Sequence, residues 1–395
     1  MEKKTITIIA VAAVAVVIIL VASFVAANKG GNDPQEPSVV GEWNLVSEYS
    51  GGWLDGYPVY SENAVPSLKA KISHYEGDFY VLDIGDEKLY CSWDGNKMVT
   101  GKLHGSSSAV FIAELPDNSN YMTVSYFTKG EAFVELYKRA GYVGKFPGLS
   151  IPVDIPEVGT AIDSYKVREY TIDGPKDIGV NTMTIRSVDG MMMFFDVVGT
   201  DGYTADGIGI YMDSGMFMSV ETFEEDSSYE MMQYRGQVFY SSMMIKDTDD
   251  IWVVEYGDQS SASYPDKDLY GKIYLGIEDA VIYKGGKIVE KINDNSIGLG
   301  VIMQDDGCLK ILTIDSSGDE IATWTAMFYD LGSPQHYGMS VQSSIEYKGV
   351  AYHGCYYGHF DSKKCDTLHI HGALIGEDGS SIVISQEYTV DKVLT

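Results

Sequence analysis

Basic residues are scarce in this chain of 395 residues. It has 28 lysines and arginines against 57 aspartates and glutamates, which gives a formal net charge of −29. Nucleic acid requires a basic binding face, so this balance argues against a nucleic-acid partner. It also argues against a protein that lies flat on an anionic leaflet. The charge suits a well-solvated exterior domain that meets cations, cationic partners or high salt.

The usual catalytic signatures are missing as well. The sequence has no Gly-x-Ser-x-Gly elbow, no His-Glu-x-x-His, no P-loop and no dinucleotide fingerprint. Acid pairs are frequent, but a chain with 57 carboxylates contains such pairs by number alone. An enzyme is therefore not favoured, and the question of an activity stays open.

Long apolar runs are absent except at the N-terminus. Residues 8–27 form a run of 20 with Ser23 as its one polar member, and Lys3 and Lys4 precede it. A helix of this length matches the hydrocarbon core of a bilayer. The positive-inside rule keeps Lys3 and Lys4 in the cytoplasm, so we expect a single-pass cell-membrane protein with an extracellular C-terminal bulk. The alternative is a signal peptide, since Val25-Ala26-Ala27 resembles a cleavage site.

Long stretches with a 3.6-residue period are also missing beyond the anchor. Short runs rich in β-branched and tyrosine residues recur between Gly, Asp, Asn and Ser clusters, with 29 Tyr and 42 Gly in total. This spacing predicts an all-β ectodomain of antiparallel strands, arranged as an up-and-down barrel or a sandwich.

A threefold repeat organises the chain. The segments that begin at Ile72, Ile185 and Ile302 each place an acid and a glycine at the same offset, ending at Gly77, Gly190 and Gly307. A strand-like run follows each glycine, which indicates a strand, a turn and a return strand. We therefore expect three tandem β modules of about eight strands each. The predicted segments are an anchor or uncleaved signal (1–27), a linker (28–40), module one (41–141), a Pro-rich spacer (142–162), module two (163–257), a linker (258–270) and module three (271–395).

One cluster in module three could carry chemistry. The segment between residues 353 and 371 contains four histidines and two cysteines, all at odd positions: His353, Cys355, His359, Cys365, His369 and His371. In a hairpin that turns near residues 361–364, these side chains share one face, because side chains alternate along a strand. Thiolate and imidazole are ligands of zinc and copper.

The strand register separates two predictions for this hairpin. If Cys355 lies opposite Cys365, the two cysteines can form a disulfide, which an oxidising exterior favours. If the turn comes later, His353 lies opposite His371 and Cys355 opposite His369. These four residues then form a candidate zinc or copper site. A third possibility is that they are unpaired surface residues.

Together these patterns predict a membrane-anchored, outward-facing β protein that binds a ligand at the cell surface or helps to build the envelope. Exposed tyrosine and tryptophan make carbohydrate or another surface component a reasonable partner. Two alternatives stay open: a solute-binding barrel for a small apolar ligand, and an exported enzyme with an unrecognised site.

Overall fold

The computed structural model describes residues 39–393 with gaps, and every regular element in this part of the chain is an antiparallel strand. The gaps are 64, 66–67, 95–96, 105–106, 115–119, 129, 147–155, 164–165, 172–173, 212–215, 224–225, 236–237, 245–251, 257–271, 295–297, 304–308, 315–319, 331–336, 361 and 363. The all-β prediction is confirmed for the described residues. Within them, no helix has the length and apolarity needed to span a membrane. The predicted anchor and most of the linker lie outside this range.

Sheet one contains the strands between residues 41 and 139. They are β1 (Gly41–Leu54), β2 (Tyr57–Asn63), β3 (Lys69–Glu76), β4 (Phe79–Ile84), β5 (Glu87–Trp93), β6 (Lys97–His104), β7 (Ser107–Glu114), β8 (Tyr121–Thr128) and β9 (Glu131–Arg139). All except β2 close a ring, because β1 pairs with both β3 and β9. β2 pairs with the second half of β1. Asp55 and Gly56 form the turn of this hairpin with φ of 51° and 76°, as a two-residue type I′ turn requires.

Sheet two follows the same strand order but has an interrupted first strand. Its strands are β10 (Ala161–Asp163), β11 (Lys166–Thr171), β12 (Gly174–Gly179), β13 (Asn181–Asp189), β14 (Met192–Gly199), β15 (Thr204–Tyr211), β16 (Met216–Phe223), β17 (Asp226–Arg235), β18 (Val238–Met244) and β19 (Trp252–Tyr256). β10 pairs with β13, whereas β11 pairs with β12 and β19. Two short strands thus hold the positions that β1 holds alone in sheet one.

Sheet three closes as sheet one does. Its strands are β20 (Lys272–Lys284), β21 (Lys287–Asp294), β22 (Gly298–Met303), β23 (Leu309–Ile314), β24 (Glu320–Asp330), β25 (Tyr337–Tyr347), β26 (Val350–Phe360), β27 (Thr367–Gly376) and β28 (Ser380–Val393). β20 pairs with β22 and β28, and β21 pairs with β20 alone among the described strands.

The repeated motifs fall on equivalent strands of the three sheets. Ile72 lies in β3, Ile185 in β13 and Ile302 in β22. Gly77 and Gly190 follow the first two of these strands with φ of 54° and 59°, a conformation that glycine adopts without a steric penalty. Gly307 lies outside the described residues. The division into tandem modules, with the boundaries given above, stays a prediction, and the linker over 258–270 also lies outside the described range.

The three sheets pack against each other through their outer faces. Phe194 and Ile208 of sheet two share an apolar cluster with Val134 and Leu136 of sheet one. On another side of sheet one, Tyr283 of sheet three joins the core of sheet one. The Tyr283 hydroxyl lies 2.9 Å from the Thr100 Oγ1 atom. The sheets are therefore joined by apolar clusters that contain buried residues of more than one sheet.

Candidate functional site

The hairpin with the histidines and cysteines has a register that differs from both predicted ones. In the ladder between β26 and β27, His353 lies opposite Ile375, Cys355 opposite Ala373 and His359 opposite His369. Both predicted registers are therefore wrong. The ladder continues to the pair Phe360 and Leu368, which are fully buried in the core of sheet three. Burial of this pair fixes the register, since a slip would change which side chains face the core.

The cysteines and histidines of this hairpin occupy different surroundings. Cys365 lies in the turn with φ of 52°, and its side chain is buried. The rings of His359 and His369 stack with centroids 5.0 Å apart. His371 is buried against sheet one, and burial lowers its pKa while Asp94 and Asp78 act in the opposite direction.

Among the side chains that the structure describes, no group of three or more His, Cys, Asp or Glu residues could hold a metal ion. The side chains of His353 and Cys355 lie outside the described set. The zinc or copper site at His353, Cys355, His369 and His371, and the disulfide between Cys355 and Cys365, therefore stay predictions.

A different polar cluster lies on the inner face of sheet one, where two glutamates meet across a pair of strands. Glu48 of β1 lies directly opposite Glu135 of β9. Directly opposed side chains project from the same face, with Cβ atoms about 5 Å apart, and like charges in this arrangement destabilise a sheet. Asn63 of β2 lies opposite Glu48 on its other side and donates a hydrogen bond to Glu48 Oε1 over 3.5 Å.

A β-bulge places the two glutamates on the inner face. Trp43 and Leu45 project into the core of sheet one, and the register between β1 and β9 shifts between Leu45 and Ser47. The extra residue moves the inward positions from odd to even numbers, so that Glu48 and Ser50 continue the inner face. The half-buried state of Glu48, Ser50 and Glu135 shows that this end of the ring is open to solvent. We call this open end the mouth.

Two tyrosine hydroxyls hold the carboxylate of Glu135. Tyr137 donates to Glu135 Oε2 over 2.6 Å, and Tyr126 donates to Glu135 Oε1 over 3.4 Å. Burial raises the pKa of Glu135, and the charge of Glu48 raises it further, while the two hydroxyls act in the opposite direction. Burial and the nearby glutamates also raise the pKa of both tyrosines, which keeps them protonated as donors. The mouth therefore holds two opposed acids, and no side chain that the structure describes forms an ion pair with either of them.

The cation of Arg139 is engaged elsewhere on this inner face. Its guanidinium lies 4.4 Å above the ring of Trp43, and its Nη1 donates to the carbonyl oxygen of Val40 over 3.0 Å. Arg139 is four residues from Glu135 along β9, about 13 Å at the rise of a strand. Hence Arg139 covers the core at the end of the ring away from the mouth and does not neutralise the charge of Glu135.

The β1–β2 hairpin extends beyond the mouth, and residues 52–59 of it are called the tongue. The ladder between β1 and β9 ends at the pair Gly51 and Ala132, so the tongue projects past β9. One face of it packs on sheet two, where Trp53 lies edge-on to Phe194 and donates to the carbonyl oxygen of Gly207 over 3.3 Å. The opposite face is exposed.

The mouth was not predicted from the sequence, although weak signals exist. Glu135 stands in the alternating segment Phe133-Val134-Glu135-Leu136-Tyr137, an acid at an otherwise inward-facing position. Recognising Glu48 as its partner requires the register of β1 against β9 and the bulge after Leu45. Both features depend on contacts between the first and last strands of the ring.

Comparisons with known proteins give no family for this chain. No protein-family model matches it, and no curated protein matches it. Among solved structures, intact transferrin-binding protein B with its N and C lobes has 9% identity and a TM-score of 0.25, over 88% of this chain and 76% of that chain.

Two further solved structures give similar values. Isotype 1 transferrin-binding protein B from serogroup B Neisseria meningitidis has 8% identity and a TM-score of 0.24, over 90% of this chain and 77% of that chain. A protein of unknown function from Nostoc punctiforme has 11% identity and a TM-score of 0.20, over 90% of this chain and all of that chain. TM-scores this low do not indicate a shared function.

Proposed function

We propose that this chain is a membrane-anchored, outward-facing β protein of the cell surface that binds a cationic ligand group at the mouth of sheet one. The observation that carries the proposal is the directly opposed pair of Glu48 and Glu135. A sheet that serves only as a scaffold gains nothing from two like charges at one inward position, since the pair destabilises it. A bound cation removes this penalty and gains charge-assisted hydrogen bonds.

The side chains around the pair suit an organic cation. The rings of Tyr126 and Phe133 stack with centroids 5.1 Å apart beside the carboxylates. Aromatic faces attract an ammonium or guanidinium group through the ring quadrupole. Burial raises the pKa of Glu135, and a cation that enters the mouth favours the ionised form and so acts in the opposite direction. We therefore infer that the ligand carries a primary amine or a guanidinium.

The test is a binding titration with capped lysine (Nα-acetyl-lysine amide) and capped arginine. The Glu48→Gln/Glu135→Gln double variant is expected to lose binding of both probes. A Glu42→Gln/Glu157→Gln double variant is the matched control, because it removes the same two charges at exposed positions. Equal affinities in the two double variants would show that only the overall charge matters, and the proposal would fail.

The cell-surface part of the proposal depends on residues 1–38. The apolar run over 8–27 and the preceding lysines support a retained anchor, and the net charge of −29 suits an exterior face that attracts cations. Terminal sequencing of the mature protein, together with membrane fractionation, tests this. A chain that begins at Asn28 in the soluble fraction would replace the anchored protein with a secreted one.

A further inference from the structure

The exposed face of the tongue is apolar and continuous with the mouth. Leu54, Tyr57 and Val59 are 64%, 73% and 40% exposed. Leu54 lies opposite Tyr57, and Gly52 opposite Val59. Even-numbered positions of β1 beyond the bulge share one face, so Leu54 projects from the same face as Glu48. One surface therefore runs from the acidic mouth to the apolar end of the tongue.

The described charges along this surface are acidic. Glu48 and Glu135 lie in the mouth and Asp55 lies at the tip of the tongue. Residues 41–68, which include the whole hairpin, contain no lysine or arginine, and their other two acids, Glu42 and Glu62, project from the opposite face. Such a surface repels an anionic leaflet, and it also repels a second copy of a chain whose net charge is −29. Charge complementarity points to a basic partner.

The length of the surface indicates the kind of partner. Leu54 is six residues from Glu48 along β1, which corresponds to about 20 Å at the rise of a strand. A single amine that fills the mouth does not reach Leu54 or Tyr57. An extended polypeptide of about seven residues does, with a basic side chain at one end and apolar side chains at the other.

We propose that the mouth and the tongue together bind an extended basic segment of another polypeptide. A lysine or arginine of that segment enters between Glu48 and Glu135, and apolar side chains at alternate positions lie on Leu54, Tyr57 and Val59. This proposal rests on the proposed function, because it assigns the cation in the mouth to a protein side chain.

The probe is a capped heptapeptide in extended form, with lysine at its first position, valine at its fifth and leucine at its seventh, and serine elsewhere. These three side chains share one face of a strand and span about 20 Å. The Leu54→Ser/Tyr57→Ser variant should bind the heptapeptide about tenfold more weakly, which corresponds to about 1.4 kcal/mol. It should bind capped lysine with unchanged affinity.

The matched control is Val143→Ser/Val158→Ser, which removes two exposed apolar side chains from other parts of the chain. If the tongue variant and this control bind the heptapeptide equally, the tongue has no part in binding and the inference is overturned. If Leu54→Ser/Tyr57→Ser loses binding to phosphatidylcholine vesicles but keeps its affinity for the heptapeptide, the tongue binds a membrane, and the inference is also overturned. Failure of the proposed function looks different, because the Glu48→Gln/Glu135→Gln variant then still binds capped lysine.

Discussion

Sheets one and three have the same strand order, yet their inner faces differ at the positions of the mouth. Glu278 lies opposite Gln386 in sheet three, as Glu48 lies opposite Glu135 in sheet one. Gln386 is 3% exposed and its neighbours belong to an isoleucine-rich core. Sheet three therefore has an amide at the position where sheet one has a carboxylate. The second acid lies on different sides of the first strand in the two sheets, because Glu278 has Gln386 on β28 and Asp294 on β21, whereas Glu48 has Glu135 on β9 and Asn63 on β2.

The neighbouring positions differ in the same direction. Tyr126 lies opposite Phe133 in sheet one, and the corresponding pair in sheet three is Gly372 and Ile384. The tyrosine above the pair is common to both, as Tyr137 and Tyr388. Sheet three thus has Gly372 in place of the second hydroxyl donor and Gln386 in place of the carboxylate. The second donor, Tyr126, and the acid that it contacts therefore occur together in sheet one.

The hairpins at the ends of the two rings also differ. Leu54 and Tyr57 stand at the tip of the β1–β2 hairpin, where β20 and β21 have Lys284 and Lys287. Lys284 forms an ion pair with Asp378 over 2.8 Å. One hairpin tip therefore carries two exposed apolar side chains, whereas the other carries two lysines, one of which forms an ion pair within its own sheet.

The largest expected effect comes from making sheet three resemble sheet one. Gln386→Glu puts a carboxylate in the closed core opposite Glu278. Burying an uncompensated charge is strongly unfavourable, so we expect the free energy of unfolding at pH 8 to fall by about 3 kcal/mol or more. Urea denaturation measures it. A loss below about 1 kcal/mol would show that the two inner faces do not differ in their tolerance of charge.

The two faces of the tongue should respond differently to truncation. Trp53→Ala removes a ring that packs on Phe194, and we expect a loss of about 2 kcal/mol in the free energy of unfolding, since the ring is partly buried. Leu54→Ala, on the exposed face, should change stability by less than about 0.5 kcal/mol. Equal losses in thermal or urea denaturation would mean that the exposed face also packs against the protein.

Removing the hydroxyl donors tests which tyrosine holds the acid. Tyr137→Phe deletes the 2.6 Å hydrogen bond to Glu135 and should lower the free energy of unfolding by about 1–2 kcal/mol at pH 8. Tyr126→Phe deletes a 3.4 Å contact and should lower it by less than about 0.5 kcal/mol. Urea denaturation of the two variants side by side decides this, and the reverse order would contradict the geometry of the mouth.

The smallest expected effect is a pH-dependent gain in the free energy of unfolding. A carboxyl whose pKa is higher in the folded than in the unfolded chain stabilises the fold below its unfolded pKa, and this contribution is lost as the pH rises through the folded pKa. Glu135 belongs to this class. Glu135→Gln should therefore raise stability by up to about 1 kcal/mol at pH 8 and leave it unchanged at pH 4. Thermal melts at both pH values measure it, and a loss at pH 8 would contradict the raised pKa.

The sequence predicts the strands well because alternation and glycine turns are local signals. The turn at Gly77 is one example, since an acid and a glycine between two apolar runs specify it. The mouth could not be predicted because it depends on pairing between the first and last strands and on a bulge that changes the face of β1. The predicted registers of β26 against β27 were wrong for a related reason, since burial of Phe360 and Leu368 decides the register.

We propose that burial and the charge of Glu48 keep the pKa of Glu135 raised until a cation enters the mouth. Carboxyl carbon NMR of glutamate-labelled protein measures the pKa of Glu135 with and without saturating capped lysine. We expect a pKa above the ordinary glutamate range in the free protein, and a lower pKa both with the ligand bound and in Glu48→Gln. An ordinary pKa in the free protein, unchanged by the ligand, would contradict it.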